Sequence, residues 1–169
     1  MTRCAILLTT VLALALTVPL ASCGFTPLYA SPGVSPGLSS IEVIAPQGRV
    51  GFLLRESLDD ALGHRPRTQP SWRLDLSLDQ TRGPLGLRID DVARRYQVTL
   101  TVQFSLVDVA NGQVAHRGVA TSFASYDVAD QPYAAIAARQ DVQQRAADEV
   151  ARKIQMDLAA FMVARNSGS

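Results

Sequence analysis

Two stretches of this chain alternate apolar and polar side chains with a period of two, and they limit its fold more than any other feature. In "WRLDLSLDQ", Trp72, Leu74, Leu76 and Leu78 fall on one side, with Arg73, Asp75, Ser77 and Asp79 on the other. In "YQVTLTVQFSL", Tyr96, Val98, Leu100, Val102, Phe104 and Leu106 oppose Gln97, Thr99, Thr101, Gln103 and Ser105. Successive side chains of a strand point to opposite faces, so both stretches read as strands of a sheet with one buried and one solvated face. Asn111-Gly112 then supplies the dipeptide favoured in a tight hairpin turn, since both positions tolerate positive φ. The chain is expected to return as a less apolar strand from Gln113 to Ser125.

Two helical patterns flank these strands. "SIEVIA", Ser40 to Ala45, is a short β-branched run suited to a strand, and Pro46-Gln47-Gly48 breaks it. Val50, Leu53, Leu54, Leu58, Ala61 and Leu62 then share one helical face, with Gly63 placed to end the helix. Asp130 is expected to cap a second helix, and Pro132 sits in its first turn, where a missing N–H costs little. Nothing breaks that helix before Arg165; Ala147, Val150, Ile154, Leu158 and Phe161 form its apolar stripe, while Arg139, Asp141, Arg145, Asp148, Arg152 and Lys153 occupy other faces. About 30 residues at 1.5 Å each make it roughly 45 Å long, more than the sheet it covers, so its far end is expected to project into solvent or a partner. The order β-α-β-β-β-α packs most simply as an α+β two-layer sandwich, two helices on one face of a roughly four-stranded sheet.

The segment ahead of this domain has a different composition. Met1 to Ser22 holds a single charge, Arg3, and an apolar run from Ala5 to Leu20, which is short for crossing a bilayer but suits an export signal. A buried core helix is the competing reading, against which Pro19 and the small residues after it count. Leu20-Ala21-Ser22-Cys23 resembles the bacterial lipobox, in which the thiol is alkylated by a diacylglycerol and the signal is cut just before it; a soluble secreted protein with a stray thiol is the alternative. Acyl chains contribute about 0.8 kcal/mol per buried methylene, so a diacylglycerol plus an N-acyl (palmitate-type) chain on Cys23 would hold the mature protein on a membrane. Gly24 stands where an Asp favours inner-membrane retention in many lipoproteins, so outer-membrane sorting is expected. "SPGVSPGLSS", residues 31–40, has the composition of a tether. The division expected is a signal peptide over 1–22, a lipidated N-terminus and tether over 23–39, and one α+β domain over 40–169.

Composition narrows the function classes. Sixteen basic and fifteen acidic residues give a net charge of +1, unlike a general nucleic-acid binder, which must neutralise many phosphates. Cys4 and Cys23 are the only cysteines, so no disulfide framework is expected unless those two pair, and Cys4 lies within the expected signal peptide. Neither His64 nor His116 has metal-ligand spacing, and both read as surface or satisfied histidines; no metal or cofactor is expected. Nucleophile-elbow, P-loop and dinucleotide-binding patterns are absent from the sequence, and Asp90-Asp91, flanked by Arg88 and Arg94-Arg95, reads as a solvated turn, so no enzyme is expected. In "TRGPLGLRIDDVARR", Arg82, Arg88, Arg94 and Arg95 form an arginine-bearing loop whose planar guanidinium groups suit phosphates and carboxylates. A plain solvated loop is the alternative. Tyr126 and Tyr133, around the start of the second helix, read as packing or interface residues.

"CGFTPLY" at the lipidated cysteine, the element order and "ASYDVADQPYAAIAARQDVQQRAADEVARKI", Ala124 to Ile154, together resemble the LptE family of lipopolysaccharide-assembly lipoproteins, in its alphaproteobacterial type. The resemblance implies a non-enzymatic outer-membrane lipoprotein that partners and plugs the β-barrel LptD and assists delivery of lipopolysaccharide (LPS) to the outer leaflet. It implies a lipid-anchored domain on the periplasmic side and within the barrel. Phe25, Leu28 and Tyr29, with Pro27, are then expected at the membrane interface or against the barrel. Arg82, Arg88, Arg94 and Arg95 are the candidate LPS contacts. A stand-alone envelope scaffold, or a pilot for another outer-membrane barrel, is the rival.

Overall fold

Both alternating stretches lie in one long antiparallel hairpin, in a computed structural model that describes residues 33–64, 69–85, 95–128 and 131–168. The elements in chain order are α1 (Val34–Ser39), β1 (Ile41–Ile44), α2 (Arg49–Leu62), β2 (Trp72–Pro84), β3 (Arg95–Asp108), β4 (Val114–Asp127) and α3 (Pro132–Ser167). One four-stranded sheet has the order β1-β2-β3-β4, with β1 parallel to β2 and the other pairs antiparallel. The helices cover one face, so the architecture is the expected α+β two-layer sandwich with one extra short helix.

Burial follows the period-two pattern along β3, where Val98, Leu100, Val102, Phe104 and Leu106 are all buried, and Tyr96 is half-buried. In β2 it fades: Trp72 and Leu74 are buried, Leu76 and Leu78 only partly, and Arg82 on the same face is exposed. The helical stripes bury Leu53, Leu54, Leu58 and Leu62 from α2, and Val142, Ala146, Ala147, Val150, Ala151, Ile154, Leu158, Ala159 and Met162 from α3. Gly63 ends α2 in the left-handed conformation, as its position in the sequence suggests.

The structure changes several expectations. The stretch read as an unstructured tether contains α1. Pro36 sits in its first turn, where its missing N–H has no intrahelical partner to lose, and Val34 and Leu38, one turn apart, are buried in the common core. The packed unit therefore begins before residue 40. The arginine-bearing stretch is not all loop either: Thr81–Pro84 extend β2 and Arg95 opens β3, because ladder hydrogen bonds continue past the apolar pattern. The hairpin connection is Val109 to Gln113 rather than a two-residue turn, and Asp108 Oδ1 accepts from the Ala110 N–H at 2.9 Å to shape it. Gln131 holds the N-cap position of α3 and makes no side-chain cap bond, in place of the expected Asp130 cap. In α3 it is the beginning that overhangs the sheet: its first buried residue is Val142, whereas burial persists to Met162 near the other end.

At Gly118 helix and sheet touch. A Cβ there would collide with the ring of Phe104 on β3 and lie 2.7 Å from Asp157 Oδ2 of α3, so the Phe104 ring can lie over β4 here only because this position is a glycine. Ser122, fully buried, donates to the Ala146 carbonyl at 3.0 Å, which places a helix carbonyl against the sheet without an unmet polar group.

Candidate functional site

The strands give the molecule two poles. Twelve residue steps along β2 separate Trp72 from Pro84, about 40 Å at the usual rise. At the Trp72 pole, the Trp72 ring meets Phe161 edge-on at 6.4 Å and the Arg165 guanidinium lies 4.7 Å from the indole. Gly33, the first described residue, is here too, with its Cβ direction facing Asn166. His116 stacks on Phe161 at 4.9 Å and holds its Nε2 3.3 Å from Asp157 Oδ2, an ion-pair distance without hydrogen-bond alignment.

The other pole gathers arginine and tyrosine. Tyr96 and Tyr126 face each other across β3 and β4, stacked at 6.1 Å, and the Arg82 guanidinium covers Tyr96 at 3.9 Å. Cation–π contact fixes this cation while leaving it at the surface, and the Tyr126 hydroxyl beneath is buried without a protein partner. Arg95 lies on the opposite face of the sheet, where it forks onto Asp127 through Nε at 2.8 Å and Nη2 at 3.1 Å. The side-chain hydrogen bond to Asp127, followed by its charge, raises the Arg95 pKa; the bond from Arg95 lowers that of Asp127. Leu85, Val128 and, on the overhanging start of α3, Ile136 and the 88% exposed Tyr133 add apolar surface.

Of the candidate contact residues, Arg82 and Arg95 are thus placed at one pole but on opposite faces. Arg88, Arg94, Cys23, Phe25, Leu28 and Tyr29 lie outside the described residues. Tyr126 is a packing residue as expected, and Tyr133 is exposed. Sequence reasoning passed over Tyr96 as a partner for Arg82. The signal was there: once β2 and β3 pair, Arg82 and Tyr96 share a face two positions apart across the ladder. His64 and His116 lie partly buried, and each has one ring nitrogen without a hydrogen-bond partner. Among the described residues no group of three or more His, Cys, Asp or Glu is placed to hold a metal, and no helix is long and apolar enough to cross a membrane.

A four-stranded mixed sheet under helices on one face defines a small α+β two-layer domain, and the comparisons place it among lipoproteins. The chain is similar to a candidate lipoprotein from Caulobacter crescentus CB15, at 50% identity over 79% of this chain and 97% of that one, with a TM-score of 0.70. It shares the fold of rare lipoprotein B from Shewanella oneidensis (15% identity, 75% and 96% covered, TM-score 0.56) and of a minor lipoprotein from Acinetobacter baumannii (17% identity, 71% and 88% covered, TM-score 0.52). No curated protein matches it. The LptE lipopolysaccharide-assembly family model matches residues 38–158, and the chain belongs to that family.

Proposed function

We propose that the protein is a non-enzymatic lipoprotein of the outer membrane, anchored by acyl chains on Cys23, that partners and plugs an LptD-type β-barrel and assists LPS assembly at the cell surface. The observation that carries this reading is the family match over residues 38–158, which takes in every strand and most of both long helices. Geometry supports a division of labour. Gly33 lies at the Trp72 pole, ten residue steps or at most about 35 Å of chain from Cys23, whereas Arg82 stands ten residue steps of strand, about 33 Å, from Trp72, so the anchor joins the domain at the Trp72 pole. Arg82, held over Tyr96, offers a guanidinium to the phosphates and carboxylates of LPS, and Tyr133 and Ile136 offer apolar contact beside it. Arg95, with Arg88 and Arg94, completes the proposed set of basic contacts.

Purification of the full chain in mild detergent tests the partnership. A large β-barrel should accompany it, and depletion of the protein should lower surface LPS. Isolation without a barrel, or a defect confined to a different barrel with normal surface LPS, would favour the scaffold or pilot instead. Replacing Cys23 with Ala should release the protein from barrel-free membranes under high salt; retention would remove the acyl anchor from the proposal.

A further inference from the structure

Strand β4 is an outer strand of the sheet, fourteen residues long, and from Gly118 to Ser125 it carries no charged side chain. Val119 and Phe123 stand 66% and 61% exposed on its solvent face. A long, regular, uncharged edge of this kind is a template for pairing with another strand. Which backbone groups lie on the free side follows from the ladder. The Leu85 N–H donates to the Arg95 carbonyl, so Arg95 directs its backbone groups toward β2, and alternation directs those of Tyr96, Val98 and Leu100 toward β4. Their partners, Tyr126, Ala124 and Ser122, point back at β3. The odd-numbered residues, including Val119, Thr121, Phe123 and Ser125, therefore turn their N–H and C=O groups outward.

Helix α3 reaches two of those outward carbonyls with cationic side chains. Lys153 Nζ donates to the Thr121 carbonyl at 2.6 Å, and Arg145 Nη2 donates to that of Ser125 at 3.2 Å. The spacings match: eight residues of helix and four residues of strand both cover about 12–13 Å. Each cation is fixed in turn by an acid one turn earlier, Arg145 by Asp141 at 2.9 Å and Lys153 by Glu149 at 2.8 Å. One turn later Asp157 faces His116 at the start of β4. Asp141, Arg145, Glu149, Lys153 and Asp157 thus form a row of alternating charge at four-residue spacing, laid along the open edge of the sheet.

We propose that this row is an edge lock, which keeps β4 from adding a second strand by occupying two of its outward carbonyls, those of Thr121 and Ser125, with Lys153 and Arg145. Strand addition needs those carbonyls as acceptors, and an incoming strand would have to displace both donors and their acidic partners. The strand excluded is the β4 of a second copy, which would pair antiparallel and bury Val119 and Phe123 beside its own. The opposite edge needs no such device along β1, which is only four residues long. The lock stands independently of the function proposed above.

The test is the mass of the full chain in detergent, by light scattering over a range of protein concentrations. Wild type, produced in cells that lack the barrel, should stay at one chain per particle. Arg145→Met with Lys153→Met keeps the aliphatic stems over the strand and removes both donors; it should associate at a concentration at least ten-fold lower than wild type. Adding Phe123→Pro, which deletes an outward N–H without touching the β3 ladder, should restore single chains. A double variant that stays single at every concentration overturns the proposal, as does association that survives Phe123→Pro. Circular dichroism establishes that each variant is folded, and if the double variant is not, Lys153→Met alone is read by the same criteria.

Discussion

The Trp72 pole and the Arg82 pole are built from the same hairpin, yet they differ in what covers them. At the first, Trp72 and Leu74 of β2 lie between β1 and β3, under α1 and the last turns of α3, and rings of Trp72, Phe161 and His116 meet. At the second, β1 has already ended at Ile44, opposite Asp75, so β2 continues with β3 as its only strand neighbour. The residues on the helix-facing side of β2 follow that change in cover: Trp72, Leu74, Leu76, Leu78, then Gln80 and Arg82. A core closes where strands have neighbours on both sides, and beyond that limit the same face becomes a surface able to meet a ligand.

Removing the Trp72 ring should have the largest effect on this contrast. Trp72→Ala should lower the stability of the domain by about 3–5 kcal/mol in urea denaturation, because it empties the packed pole. Arg82→Ala should cost less than about 1 kcal/mol, the worth of an exposed cation–π contact. Equal losses would mean that the two poles are equally part of the core. Next in size, Gly118→Ala forces a methyl group between Phe104 and Asp157, and overpacking should cost about 1–3 kcal/mol. Its effect should extend to the ring cluster at the Trp72 pole, seen as altered aromatic resonances by NMR, with Tyr96 and Tyr126 unchanged.

Binding should reverse the ranking of the poles. Arg82→Glu is expected to weaken LPS binding in a pull-down or calorimetric titration while leaving the thermal midpoint nearly unchanged; Arg55→Glu, on α2, should leave binding unchanged and lower the midpoint slightly through the lost Asp59 pair. Loss of binding from the Arg55 substitution, or none from Arg82, would move the LPS contact away from this pole. The smallest effect is that of pH on the Arg95–Asp127 pair. The pKa of Asp127 is lowered in the folded state, so its stabilising contribution is present above the ordinary carboxylate pKa and fades as pH falls through the lowered value. Both partners are exposed, so the acid limb of the stability profile should shift only slightly, and Asp127→Asn should remove that shift.

Much of this fold was legible in the residues. Strict alternation determined β3 and the start of β2, the apolar stripes determined α2 and α3, and Gly63 determined where α2 stops. The short helix α1 was not legible, since Ser, Pro and Gly suggest a tether until Val34 and Leu38 find a core to enter. The ends of β2 and β3 were missed for a related reason. Thr81 to Pro84 have little apolar patterning, and they are strand because their backbone groups pair with β3.

The sequence by itself thus determined the order of the strands and the two long helices and the buried face of the sheet, since periodicity is a local property that the chain carries whatever its neighbours. Tertiary structure decided which charged residues act together. Arg82 and Arg95 are close in the same arginine-rich stretch but face opposite sides of the sheet, because odd and even positions of paired strands diverge. Arg145 and Lys153 look like surface charges of a solvated helix, and they reach the edge of β4 only because α3 packs against it. Backbone carbonyls leave no trace in composition, so only the packed arrangement of helix and sheet reveals what those two cations hold.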